Sequence, residues 1–237
     1  MLHGILKAIS RALPSPPSTN YLWRRFDVKP YDLLPANPVI YDIGAKEARG
    51  HYAFGSPPPR ARLVCIDIKS GPGVDIVADA HDLHMIDDNS ADCVLCVGVL
   101  LHCRNPDKVI SEFHRILKPG GIVYVHAPFI SPHPGFPPVF YFFSMEGLEA
   151  TCARFETIQC GFNRGPASTM SYLLVTFCSI LFSFNSKTLF AVNEYVFAWL
   201  FFWIKYLDAF IARYEHARLF YSASYFIGRK ALLAIQG

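Results

Sequence analysis

The sequence predicts an α/β protein built on a doubly wound, mostly parallel sheet, with a hydrophobic helical insertion before its last strand. Three observations carry this reading. Short apolar runs at residues 39–43, 63–66 and 74–77 each reach an acidic residue, Asp42, Asp67 and Asp79. Strand-like runs then alternate with helical patterns, the arrangement of βαβ units. The most apolar part of the chain, residues 170–204, is followed by another strand-like run at 222–228, so the chain leaves the core and returns to it.

The first strand passes through Asp42 to Gly44, where the chain must turn. Residues 46–54 read as a short helix ended by Gly55 and three prolines. Strands two and three follow, ending at Asp67 and Asp79. In doubly wound sheets ligands sit at the carboxyl ends of strands, and an acid at the second strand's tip bonds ribose hydroxyls. Strand four, residues 92–97, is apolar on both faces, as a buried parallel strand should be. Asn105, Pro106 and Asp107 read as N-cap, first helical position and first-turn acid. The helix presents Val109, Ile110, Phe113, Ile116 and Leu117 as one face and stops at Pro119-Gly120-Gly121. Strand five is residues 122–127. Ser144 and Glu146 open a helix to about Ala153, and residues 155–160 read as strand six.

Asp42-Ile43-Gly44, Asp67, Asp79-Ala80, residues 89–94, Val99-Leu100-Leu101-His102 and Leu117-Lys118-Pro119-Gly120-Gly121 occur in a family's order and spacing. Across residues 38–160 the chain resembles the class I S-adenosylmethionine-dependent methyltransferases. The resemblance implies their Rossmann-like fold, a sheet of seven strands and S-adenosylmethionine as cofactor. It places Asp42, Gly44, Asp67, Ile68, Asp79, Ala80 and Cys96 at the cofactor. It also implies that residues 222–228 insert as a seventh strand, antiparallel beside strand five. The loop after Gly44 departs from the family, since Ala45-Lys46-Glu47-Ala48-Arg49 replaces further glycines. A dinucleotide needs such glycines for its pyrophosphate, whereas S-adenosylmethionine has no phosphate. The departure therefore counts against an NAD-linked oxidoreductase more than against a methyltransferase.

A narrower resemblance covers Pro128-Phe129, Pro132-His133, the aromatic run after it and residues 144–148. It is to methyltransferases of bacterial polysaccharide and glycolipid synthesis, and implies a large or lipid-linked acceptor such as a glycan or glycolipid. Where those relatives carry an Asp and an Arg, this chain has Val139 and Phe142, an apolar lip. An oxygen acceptor needs a base, for which His133 is the nearest candidate and His102 the second.

Composition fits a soluble core joined to something more apolar: 52% hydrophobic, 15% aromatic and 17% charged residues in a chain of 237, against about 25% charged in an ordinary soluble domain. A net charge of +3 is too small to argue for nucleic acid, though it suits an anionic membrane surface. The seven cysteines show no disulfide framework, which points to reduced thiols in the cytoplasm. Cys93 and Cys96 stand on opposite faces of a strand and read as core packing. His81 and His84 have no third ligand in sequence and read as loop residues rather than a metal site.

The expected organisation is therefore an amphipathic helix and linker at 1–37, a methyltransferase core at 38–166, a hydrophobic helical cap at 167–215, and the last strand and tail at 216–237. The helix at 2–13 has charges interrupting its apolar run, unlike an export signal. It either lies on a membrane interface or packs on the core. The cap has no clean run of about 20 apolar residues. Two readings stand for it: a monotopic membrane contact at the inner face of a membrane, with Lys187, Lys205, Arg213 and Arg218 toward lipid, or a cover over the sheet. Two functions follow: methyl transfer, or a membrane-associated scaffold that has the fold without turnover.

Overall fold

The computed structural model describes residues 18, 27–45, 49–52 and 54–232. Its strands are β1 Val39–Ile43, β2 Arg62–Asp67, β3 Ile76–Val77, β4 Ala91–Val97, β5 Leu117–Pro128, β6 Glu156–Arg164 and β7 Ala223–Arg229. Its α-helices are α1 Pro106–Ile116, α2 Met145–Thr151, α3 Pro166–Leu181, α4 Lys187–Phe201 and α5 Asp208–Ile211. One seven-stranded sheet runs β3-β2-β1-β4-β5-β7-β6. The first five strands are parallel, and β7 lies antiparallel between β5 and β6. This is the predicted doubly wound sheet, with the last strand beside β5.

Each face of the sheet carries its own apolar core, because successive side chains on a strand point oppositely. On one face, Val94 and Cys96 of β4 and Val123, Val125 and Ala127 of β5 pack against Val109, Ile110, Phe113 and Ile116 of α1. On the other, Cys93, Leu95, Ile122 and Tyr124 pack with Tyr31, Phe54, Tyr225 and Ile227. Cys93 and Cys96 thus serve different cores, and all the cysteines are free. The start of α1 follows its sequence signal: the Lys108 N–H donates to the Asn105 side chain at 3.1 Å, with Pro106 as first residue.

Several boundaries differ from expectation. The helix expected at 46–54 is absent from its described part: Arg49 and Gly50 turn with positive φ, and Tyr52 bridges to Gly55. The physical reason is Asp42, whose carboxylate draws in the Gly50 N–H and the Tyr52 hydroxyl. Leu117 is not on the helix, which ends at Ile116, and the Lys-Pro-Gly-Gly run belongs to β5. There Lys118 reaches Asp92 at 2.8 Å and Gly120 donates to Lys230. Strand six extends to Arg164 because β7 offers partners that far. Strand three is shorter than expected, with only Ile76 and Val77 in the ladder. The amphipathic pattern at 2–13 lies outside the described residues.

After β6 the chain enters an αα-hairpin, α3 and α4, which returns through a 3₁₀ stretch, Phe202–Leu207, and α5 to β7. The first turn of α3 leaves N–H groups without intrahelical partners. Asp208, fully buried, accepts from the Ala167 N–H at 2.8 Å and the Ser168 N–H at 2.9 Å. One carboxylate from the end of the excursion therefore fixes its beginning. D208A should lower stability by about 3 kcal/mol, the scale of lost charged hydrogen bonds and stranded donors. Urea unfolding should show it, with D208N losing less; a change below about 0.5 kcal/mol would mean that the contact does not anchor the hairpin.

Candidate functional site

The carboxyl ends of β1, β2 and β4 meet at one edge of the sheet. Ile43 pairs with Ile66 on one side and Cys96 on the other, so Gly44 follows between the ends of β2 and β4. The Gly44 N–H donates to the Ile66 carbonyl at 2.6 Å. Its φ is +71°, and a Cβ there would overlap the Val99 side chain. Glycine is thus required twice over, by the left-handed turn and by the close approach of the loop after β4.

Asp42 lies beneath this turn with 0% exposure. Its carboxylate accepts from the Gly50 N–H and from the Tyr52 hydroxyl, both at 2.7 Å. Burial pushes its carboxyl up to about 6, against the pull of Tyr52, Gly50 and the Arg49 charge. Asp42 therefore holds the loop that follows β1. Tyr52 is a site residue that the sequence does not flag, since it lies ten positions on with no periodic signal.

Asp67, at the end of β2, is 8% exposed. Its Oδ1 accepts from the Lys69 N–H at 3.0 Å, and its Oδ2 takes no hydrogen bond from the described residues. Ile68 beside it is 64% exposed, an apolar side chain at the rim. The Ala78 N–H donates to the Asp67 carbonyl, which brings Asp79 and the buried Ala80 next in line. Asp79 accepts from the His81 N–H and ring Nδ1 at 2.9 and 2.6 Å, and His81 Nε2 accepts from the Asn105 N–H at 3.4 Å. Burial raises the Asp79 pKa, but the hydrogen bonds and charge of His81 outweigh it and hold the group below its ordinary value. His84 pairs with Asp82 in the same manner. Cys96 is fully buried in the α1-side core, and burial holds its thiol well above the ordinary range. Its backbone pairs with Ile43 at the end of the strand.

The loop between β5 and α2 is strapped across the site. The Phe140 N–H donates to the Leu101 carbonyl at 2.8 Å, and the Phe143 N–H to the Pro128 carbonyl at 3.0 Å. The Lys69 ammonium lies over the Phe136 ring at 4.9 Å and the Arg104 guanidinium over Phe140 at 4.8 Å. Phe136, Phe140, Tyr141 and Phe142 are all exposed. The lip is aromatic, and its positive charges come from other loops.

The two histidines differ in tautomer. His102, in the 3₁₀ turn Leu100–His102, sets its Nδ1 2.8 Å from the Pro138 carbonyl. A carbonyl only accepts, so Nδ1 carries the proton and Nε2 keeps its lone pair. His133 Nδ1 instead accepts from the Gly135 N–H at 2.9 Å, so its neutral ring has the proton on Nε2. Of these two, His102 alone offers a free lone pair while neutral.

Residues 50–125 match the family model described as a methyltransferase domain. Human thiol S-methyltransferase TMT1B is 39% identical over 49 residues, 21% of this chain and 20% of that protein. The chain thus aligns with about a fifth of that curated relative. Among solved structures, the [4+2]-cyclase SpnF superposes with a TM-score of 0.51 at 18% identity, covering 98% of this chain and 93% of that one. Coclaurine N-methyltransferase, bound to N-methylheliamine and S-adenosylhomocysteine, superposes at 0.51 with 10% identity, covering 93% and 78%. These likenesses show the fold, which is that of the class I methyltransferases. Residues 50–125 thus match a methyltransferase domain, set in that fold.

Asp42 makes stability depend on pH. An acid whose folded pKa, about 6, exceeds its ordinary 3.8 contributes its full stability only below 3.8 and loses it as pH rises through 6. D42N, neutral throughout, should gain about 2–3 kcal/mol relative to wild type between roughly pH 4 and pH 7.5. Urea unfolding at both pH values measures this, and a difference that does not change with pH would show that Asp42 is not perturbed.

Proposed function

We propose that this protein is an S-adenosylmethionine-dependent methyltransferase acting on a large or lipid-linked acceptor, a glycan or glycolipid, at a membrane surface. The observation that carries it is the edge formed by Gly44, Asp42 and Asp67. The edge suits the cofactor: Gly44 lets the loop after β4 approach closely, and Asp67 Oδ2, which takes no hydrogen bond from the described residues, is left to accept from ribose hydroxyls. Gly44, Asp67, Ile68, Asp79, Ala80 and the backbone of Cys96 would hold it, with Asp42 fixing the turn beneath. When bound, the cofactor supplies a methyl group on a positively charged sulfur. The chain's part is positioning, together with removal of the acceptor's proton. For that step His102 is the better base, with His133 second, because Nε2 of His102 is free and its ring is fixed by Pro138.

The acceptor class rests on exposed apolar surface. Trp199, Leu200, Trp203, Phe210 and Tyr214 are exposed on the excursion between β6 and β7. At the α3–α4 turn Phe184 has a φ of +45° and is 81% exposed. Such a backbone is unusual for a bulky residue, and an exposed apolar patch of this extent marks a contact surface. Among the described residues no helix is long and apolar enough to cross a membrane; the proposed contact is a peripheral one, at the inner face of the membrane. Lys187, Arg213 and Arg218 are exposed and suited to anionic lipid, but Lys205 is not. It is 9% exposed, and its ammonium donates to the Ser18 carbonyl beneath the Phe202 and Tyr206 rings.

A second reading is a binding module without turnover at the same surface. It is favoured by Asp42, whose two oxygens serve the chain's own loop.

Transfer of labelled methyl groups into lipid extracts separates the readings. H102A should lower transfer by about 100-fold or more with cofactor affinity unchanged, and H133A much less. Equal rates for H102A and wild type would move the base elsewhere, and no transfer to any extract favours the binding module. In flotation, wild type should rise with anionic liposomes and resist high salt. Protein that stays at the bottom of the gradient would refute the membrane contact.

A further inference from the structure

On the face of the sheet opposite α1, β5 and β6 bring together polar side chains that their surroundings leave incomplete. His126 of β5 pairs with Val97 of β4, and its carbonyl accepts from the Gly98 N–H at 2.9 Å. It therefore stands level with the turn after β4, beside the proposed cofactor edge. The residue is 9% exposed. Its Nε2 lies 3.3 Å from Asn163 Oδ1, an acceptor, so Nε2 bears the proton. Its Nδ1 is a bare lone pair, buried and without a partner. Burial first and the Arg164 charge second push His126 down to about 4, and it is neutral near pH 7.

Arg164 is the stranger neighbour. Its Nε–H is buried with no hydrogen-bond partner. Among the described residues no carboxylate pairs with it. Asp208, packed against the adjacent Gly165, spends both oxygens on the first turn of α3. Burial depresses Arg164, opposed only by the hydroxyls of Tyr172 from α3 and Tyr124 from β5. Arg164 as a whole is half-buried, but an N–H shut away from water without a partner costs about 1–3 kcal/mol. Such groups cluster where a ligand completes them.

The geometry points to a receptor, formed by Arg164, His126 and Asn163, for an acidic group on the methyl acceptor. That group presents an anionic oxygen to the Arg164 Nε–H and a hydroxyl hydrogen to His126 Nδ1. The assignment to an acceptor rests on the methyltransferase reading above. A monoprotonated phosphate offers both features, whether free or on a lipid; sulfate offers the anion without the proton. Asn163 acts as a positioning residue, since its Oδ1 fixes which imidazole nitrogen is bare.

The test uses the full chain and inorganic phosphate at about pH 5.5, where the free ion and a phosphate monoester, whose second pKa is about 6, both keep a proton, at constant ionic strength. Wild type should show a saturable rise in melting temperature at millimolar phosphate. Sulfate should bind at least roughly tenfold more weakly, because a site built to accept a proton discriminates against a ligand without one. R164M should lose the response and, without phosphate, melt no lower than wild type, since it removes an unpaired charge. Vesicles of phosphatidylcholine with and without phosphatidic acid then separate the sources: binding by wild type over R164M only with phosphatidic acid assigns a lipid phosphate, and a response confined to the free ion assigns a soluble one. No phosphate response in wild type, an equal response in R164M, or sulfate matching phosphate would overturn the receptor. Should R164M not fold, the wild-type contrast between phosphate and sulfate decides. S-adenosylhomocysteine binding on the same samples keeps the two ideas apart. If it persists while phosphate fails, only the receptor falls; if it is absent, the methyltransferase reading falls.

Discussion

The structure depends on a close approach at the end of β1. Gly44 turns in the left-handed region directly against Val99, and its N–H is held by the Ile66 carbonyl. That contact brings the ends of β1, β2 and β4 to one level, and everything proposed for the cofactor stands on it. Asp42 supports the turn from below at an energetic cost, because its carboxylate is ionised in a place closed to water. Gly50 and Tyr52, expected in a helix, are instead pinned to Asp42. A strained, charged support under a rigid sheet edge is common where function takes precedence over stability.

The strand tips and the α1 cap were legible in the sequence for local reasons. An acid or glycine at the end of an apolar run needs no knowledge of distant residues, and Asn105 caps a helix that begins at the next position. What could not be read depends on long-range contact. Tyr52 completes Asp42 across a turn with no period. Arg164 and His126 come together only because β7 inserts beside β5 and β6 extends past the expected end, with an irregular register near Phe162 and Arg164. The basic rim was misjudged at Lys205 for a similar reason, since its burial depends on Ser18, far away in the chain.

Two kinds of surface meet at the proposed site. The lip is aromatic and the hairpin beyond it exposes large apolar side chains, whereas the face of β5 and β6 opposite α1 carries the unpartnered Arg164 Nε–H. An acceptor with an apolar body and an acidic group matches both. The aligned part of the thiol S-methyltransferase relative is too short a share of either chain to carry its acceptor across. Nor does the fold decide the chemistry, as the cyclase with the same architecture shows.

The central claim is that the β1–β2–β4 edge binds S-adenosylmethionine through Asp67. Calorimetric titration of the folded full chain with S-adenosylhomocysteine tests it most directly, with NAD as control. The account predicts one site in the micromolar range, about −8 kcal/mol, weakened by roughly 1–3 kcal/mol in D67A, and no heat from NAD. Undiminished binding by D67A, or binding of NAD in place of S-adenosylhomocysteine, would contradict it.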